Sequence, residues 1–171
     1  MTETIEDRKQ FNLNRAAQAC AVVVAGGLVM HASACAKNAR AYVFFGPSGA
    51  GKSSAMDHSP DAIVLSEEAV ALECINGVWH ARGLPYAGDA RFEKKSDVSY
   101  PVAGIYRLHH ATANRRLPMS KAAAAQALLT VPAGDFVELM PRVFAAAAKI
   151  AEDVVCFELH LRNDESFWEV L

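Results

Sequence analysis

The chain has no Cys-x-x-Cys pair, no internal repeat, no block of like charge and no apolar run long enough to span a bilayer comfortably. Each absence excludes something. Without repeats, a solenoid or propeller array is excluded. With 17 Lys+Arg against 19 Asp+Glu, the net charge is -2 and the isoelectric point is near 6.3. No global field therefore draws the protein to nucleic acid or anionic lipid, and neither is an expected partner. Cys20, Cys35, Cys74 and Cys156 are widely scattered. That pattern predicts buried free thiols in a reducing cytoplasm rather than a disulfide framework or a metal site. The apolar stretch Ala16–Met30, followed by Ala32-Ser33-Ala34, looks superficially like an export signal. Glu3, Glu6 and Asp7 stand where a signal needs basic residues, and Gln18 and Gly26-Gly27 interrupt the run. A cytoplasmic location is the expectation.

What is present fits one globular domain. The 171 residues are 52% hydrophobic, and a chain of this length buries roughly 70% of its unfolded surface. Much of the apolar share is alanine, as in Ala122–Ala125 and Ala145–Ala148. Alanine favours helices but fills little core volume.

Residues 1–12 are polar and read as loosely ordered. Asn14 is placed to cap a helix over Arg15–Ala25, with Gly26-Gly27 as its stop. Leu28–Ala36 and Ala41–Phe45 read as strands joined by the polar turn Lys37–Arg40, and so tight a connection makes them antiparallel. A short helix follows Gly51 and ends by Pro60. Asp61–Leu65 is a further strand. Val70–Cys74 and Val78–Ala81 flank Asn76-Gly77, a strong hairpin signal. Gly83–Ser99 reads as a mobile loop and Val102–His109 as a strand. Ser120 caps a helix over Lys121–Leu129. A second helix spans Asp135–Ala151, with Pro141 delaying its start. Val154–Leu161 is a late strand, and Phe167–Leu171 closes the chain. The predicted class is α/β: a mixed, partly antiparallel sheet with a phosphate-binding loop and flanking helices.

One motif carries chemistry. Gly46-Pro47-Ser48-Gly49-Ala50-Gly51-Lys52-Ser53 matches G-x-x-x-x-G-K-[ST], with an apolar strand before it and a helix after it. From average residue usage, a chain of this length matches by chance on the order of one per cent of the time. In such a P-loop the glycines let backbone N–H groups converge on phosphate oxygens, and the helix start adds positive potential. Lys52 would sit on the β- and γ-phosphates and the Ser53 hydroxyl on Mg²⁺, with Ser54 next in line. ATP and Mg²⁺ are the expected ligands.

A carboxylate is needed near the metal and the attacking hydroxyl. Glu67 and Glu68 follow the strand after the loop, Glu67 as metal ligand and either as base. His31 lies fifteen positions before Gly46. A tight hairpin folds it back beside the loop, where an imidazole can handle a proton. Arg82 and Arg107 are candidate substrate cations. Trp79 and Trp168 are read as core or hinge aromatics.

This order of residues (His31, a hairpin, Gly46–Ser53, then Leu65-Ser66-Glu67-Glu68) resembles the C-terminal domain of the HPr kinase/phosphorylase family, whose fold is related to phosphoenolpyruvate carboxykinase. The resemblance runs from about Leu28 to Ala90. It implies phosphate binding by Lys52, Mg²⁺ binding by Ser53, a catalytic-centre position for His31, a base toward a substrate serine after the next strand, and a homo-oligomer. The chain departs from that family in carrying Glu67-Glu68 in place of paired aspartates. It also has His80, not a carboxylate, ahead of Arg82-Gly83-Leu84. The expected activity is phosphoryl transfer from Mg-ATP to a hydroxyl, a serine of a protein or peptide. The alternatives are a nucleotide-binding regulatory module without turnover, and a small-metabolite kinase. The last would place Leu28–Ala36 parallel to Ala41–Phe45.

Overall fold

The computed structural model describes residues 5–84, 98–134 and 136–171. It is a mixed α/β structure, a mixed sheet with flanking helices. In chain order the elements are α1 (Ile5–Val24), β1 (Leu28–Met30), β2 (Ser33–Lys37), β3 (Arg40–Phe45), α2 (Lys52–Asp57), β4 (Ile63–Ser66), β5 (Val70–Ile75), β6 (Val78–Gly83), β7 (Tyr100–His110), β8 (Arg115–Pro118), α3 (Lys121–Leu128), α4 (Met140–Asp153) and β9 (Cys156–Leu161). Short 3₁₀ segments cover Val137–Leu139 and Glu165–Val170.

The strand order is β1-β5-β6-β7-β3-β2-β4, with β9 also on β7 and β8 outside β9. The long strand β7 makes this possible. Its first residues pair antiparallel with β6, its last six pair parallel with β9, and its other edge pairs parallel with β3. β2 is antiparallel to both β3 and β4, so β4 runs in the direction of β3. The carboxyl ends of β3, β4, β7 and β9 therefore share one end of the sheet. The start of β2 reaches that end too, because Ser33 pairs with Phe44.

The turns explain the hairpins. Asn38 and Ala39 (φ 52 and 58), and Asn76 and Gly77 (φ 51 and 80), are left-handed in pairs. Such turns match the right-handed twist of the strands they join. β2 and β3 pair antiparallel, as the tight turn between them requires, and not in the parallel arrangement that would favour a small-metabolite kinase.

Several boundaries differ from the sequence expectation. The first helix begins at Ile5 rather than Arg15, so residues 5–12 are helical. Asn14 is not a cap but an interior residue whose Oδ1 accepts from Gln10 Nε2 at 3.0 Å. The predicted strand Leu28–Ala36 is two strands. β1 pairs with β5 and β2 with β3, and the chain changes partner at His31-Ala32. β8 was not expected at all. α4 starts at Met140, with Pro141 in its first turn, where the missing N–H costs nothing. Ser120 does cap α3, its Oγ accepting from Ala123 N at 3.2 Å. Most of the predicted Gly83–Ser99 loop lies outside the described residues. All four thiols are free, but Cys74 is exposed and Cys20 only partly covered, against the expectation of burial.

The sheet has a different core on each face. On one side α1, α3 and α4 pack against Leu28, Met30, Val43, Phe45 and Ile105. On the other, Phe44, Tyr106 and Phe167 pack with Ala55 and Met56 of α2. β3 is buried on both sides, which is why Ala41–Phe45 reads as a nearly continuous apolar run. Among the described residues, no helix is long and apolar enough to cross a membrane.

Candidate functional site

The Gly46–Gly51 loop leaves the end of β3, and Lys52 opens α2. Gly49 and Gly51 hold φ values of 79 and 99, which side chains disfavour. At Gly51 space is short as well: a Cβ would stand 3.2 Å from Leu161 Cδ2 and 3.5 Å from His110 Cε1. The loop is thus wedged against the ends of β7 and β9. Lys52 Nζ donates to the carbonyls of Gly46 (2.9 Å) and Pro47 (3.2 Å), which holds the ammonium inside the loop. Partial burial lowers the Lys52 pKa, and the nearby Glu68 charge opposes that shift. Ala50 is buried in the aromatic core and anchors the loop from below. α2 has only six residues, so any attraction for an anion would come from Lys52 and the loop rather than from a long helix.

The opposite wall comes from the turn after β4. Ser66 Oγ accepts from Glu68 N at 3.2 Å and Ala69 N at 3.1 Å, a local serine turn that fixes the backbone. Ser33 Oγ on β2 donates to the Glu67 carbonyl at 3.2 Å. From above, Gly83 at the end of β6 presses on β4, and a Cβ there would lie 2.0 Å from the Leu65 carbonyl oxygen. Only glycine fits, which gives Arg82-Gly83-Leu84 a structural reason.

These walls enclose a cavity of about 260 Å³, lined by His31, Ser48, Gly49, Gly51, Lys52, Ser53, Ser54, Glu67 and Glu68. His31 occupies the gap where the chain changes strand partner. Its Nδ1 lies 3.1 Å from the Glu68 carbonyl oxygen and 3.4 Å from Glu68 Oε2. Glu67 is buried, with 7% of its surface exposed, whereas His31 is half exposed. Among the described residues, no group of three His, Cys, Asp or Glu side chains gathers at metal-binding distance. The cavity offers a hydroxyl and carboxylates, oxygen donors of the kind Mg²⁺ accepts when phosphates and water complete its shell.

The structure does not bring the two candidate arginines here. Arg82 pairs with Glu73 across the β5–β6 ladder at 2.6 Å and lines a separate cavity with Glu73, Cys74 and Ser99. Arg107 lies 3.7 Å from Glu158, in a polar group on β7 and β9 with His109 and His160. Sequence reasoning missed His110. Its Nε2 is hydrogen-bonded to the Gly49 carbonyl oxygen and braces the loop from the β7 side. Only the parallel placement of β7 beside β3 reveals it, because sequence separation puts the two 61 residues apart.

The profile of the family described as SynChlorMet cassette protein ScmC matches residues 5–171. The chain belongs to that family. No curated protein matches it. ScmC membership corrects the resemblance drawn from the motif order, because the matched family is not an HPr kinase family. That resemblance rested on four short segments, whereas the ScmC match covers nearly the whole chain, helices included.

Proposed function

We propose that this ScmC-family protein is a phosphotransferase that takes the γ-phosphoryl group of Mg-ATP and places it on a hydroxyl, a serine of a protein or peptide. One observation carries the reading: Lys52 and Ser53 face Glu67, Glu68 and His31 across a single cavity. Phosphoryl transfer is mostly positioning and charge stabilisation, and those are the groups it requires. Lys52 holds the β- and γ-phosphates, and Ser53 with Glu67 receives the Mg²⁺ that accompanies ATP. The acceptor oxygen forms a bond to the γ-phosphorus as the bond to the β,γ-bridging oxygen breaks. ADP leaves with that electron pair, and Glu67 or Glu68 takes the hydroxyl proton. His31, whose Nδ1 lies 3.4 Å from Glu68 Oε2, orients Glu68.

The assay is transfer of labelled γ-phosphate from ATP to serine peptides. Lys52→Ala reduces transfer on the order of a hundredfold or more, as expected for loss of a preorganised cation. Glu67→Gln and Glu68→Gln identify the base, since the base variant loses turnover at unchanged ATP affinity. A second reading, nucleotide binding without turnover, draws on the engagement of Glu68 by His31. Tight ATP binding with no transfer to any acceptor would overturn the first reading in favour of the second.

A further inference from the structure

A larger cavity, about 370 Å³, lies on the other side of His31 between α1, β1, residues 131–134 and Phe136, and nothing in the proposed chemistry uses it. Its size falls within the range of about 300–1,000 Å³ typical of ligand pockets. It is a built feature. The 131–133 segment is laced to the free edge of β1: His31 N donates to Val131 O at 2.7 Å, Ala133 N donates to Val29 O at 2.9 Å, and Met30 bridges Pro132. Phe136 folds back over it, passing so close to Gly134 that a Cβ there would sit 2.6 Å from the ring. The lining is mainly apolar, with Ala19, Val29, Leu84 and Phe136, and Arg15 adds one cation.

Its position matters most. His31 lines both cavities. The β4–β5 turn is divided the same way, with Glu67 and Glu68 facing the loop and Ala69 facing the apolar cavity. A group seated in the apolar cavity therefore ends at His31, beside the carboxylates. We infer that this cavity is the acceptor site, and that it takes a large apolar side chain of a peptide next to the serine that receives the phosphoryl group. The inference rests on the phosphotransferase reading and adds its substrate class.

The test compares short peptides with one serine flanked by Ala, Leu or Phe, measured with wild type, Ala133→Leu and Ala16→Phe. The latter two fill the cavity from opposite walls, and Ala16 is exposed, so its variant folds even if Ala133→Leu does not. ATP affinity is measured in parallel. The expected result is a preference for Leu or Phe over Ala on the order of tenfold or more in kcat/KM. Both filled variants lose this preference through KM while ATP affinity is unchanged. Transfer that is indifferent to the flanking residue, or unaffected by both variants, overturns the inference and leaves the phosphotransferase reading standing. ATP binding without transfer to any peptide overturns both.

Discussion

The two faces of the sheet are built differently. The face under α1, α3 and α4 is rich in alanine, with Ala19, Ala124, Ala127, Ala146, Ala147 and Ala151 all buried. The face under α2 is aromatic: Phe44 stacks with Tyr106 at 5.5 Å, Tyr106 with Phe157 at 5.4 Å, and Phe167 meets Phe44 edge-on at 6.0 Å. Small side chains let helices approach closely and make a scaffold. Interlocked rings make a stiff floor, and it is on that floor that Ala50, Ala55 and Met56 seat the loop and α2. The candidate phosphate site thus depends on one face more than on the other.

Breaking the aromatic face should have the largest effect. Phe44→Ala costs about 3–5 kcal/mol, the usual range for a buried aromatic, and also weakens ATP binding because the loop loses its floor. Chemical denaturation and ATP titration check the two parts. On the alanine face, Ala147→Leu overpacks a fully buried position and costs about 1–3 kcal/mol, yet ATP affinity stays at the wild-type level. Equal losses of affinity in the two variants would erase the distinction between the faces.

The Lys52 shift sharpens the same comparison within the site. Burial lowers its pKa, so folding disfavours the charged form. The resulting penalty is present at neutral pH and is relieved as pH rises through the lowered value. Lys52→Met therefore leaves thermal stability at pH 7 unchanged or slightly higher while removing ATP binding. In the wild type, ATP affinity falls at alkaline pH, earlier than an ordinary lysine would dictate. A titration series from neutral to alkaline pH reads this directly. The smallest effect belongs to Arg82→Ala. Its pair with Glu73 is partly exposed, with 28% and 30% of the side chains accessible. Loss of such a pair costs about 1 kcal/mol or less, and phosphate transfer is unchanged.

Local structure was legible where a residue type had one physical use. Asn76-Gly77 announced its hairpin, Ser120 its helix, and Lys37–Arg40 the turn that returns His31 to the loop. Strand direction pointed His31, Glu67 and Glu68 toward Lys52, and all four line one cavity, although β2 stands between β3 and β4 and His31 lies in the break between β1 and β2 rather than within a strand. What was hidden depends on strand partners far away in sequence. β7 joins β6, β9 and β3 at once, and only that arrangement brings His110 to Gly49. The break at His31 was invisible because Leu28–Ala36 is apolar throughout, whichever sheet neighbour it takes. The first half of α1 was missed because Gln10, Asn12 and Asn14 suit an exposed helix and a loose terminus equally. Arg115–Pro118 is too short and too polar to show a period. The family was misjudged for a related reason: a loop, a histidine and an acidic pair describe a site, and sites recur on chains of different families.

The central claim is that the loop cavity holds a nucleoside triphosphate through Lys52. Calorimetric titration of the wild type and Lys52→Ala with Mg-ATP, and with AMP as control, tests it most directly. The account predicts saturable Mg-ATP binding by the wild type, much weaker binding of AMP, and loss of Mg-ATP binding in a variant that remains folded. Equal affinity of wild type and variant for Mg-ATP, or no binding by the wild type, would contradict it.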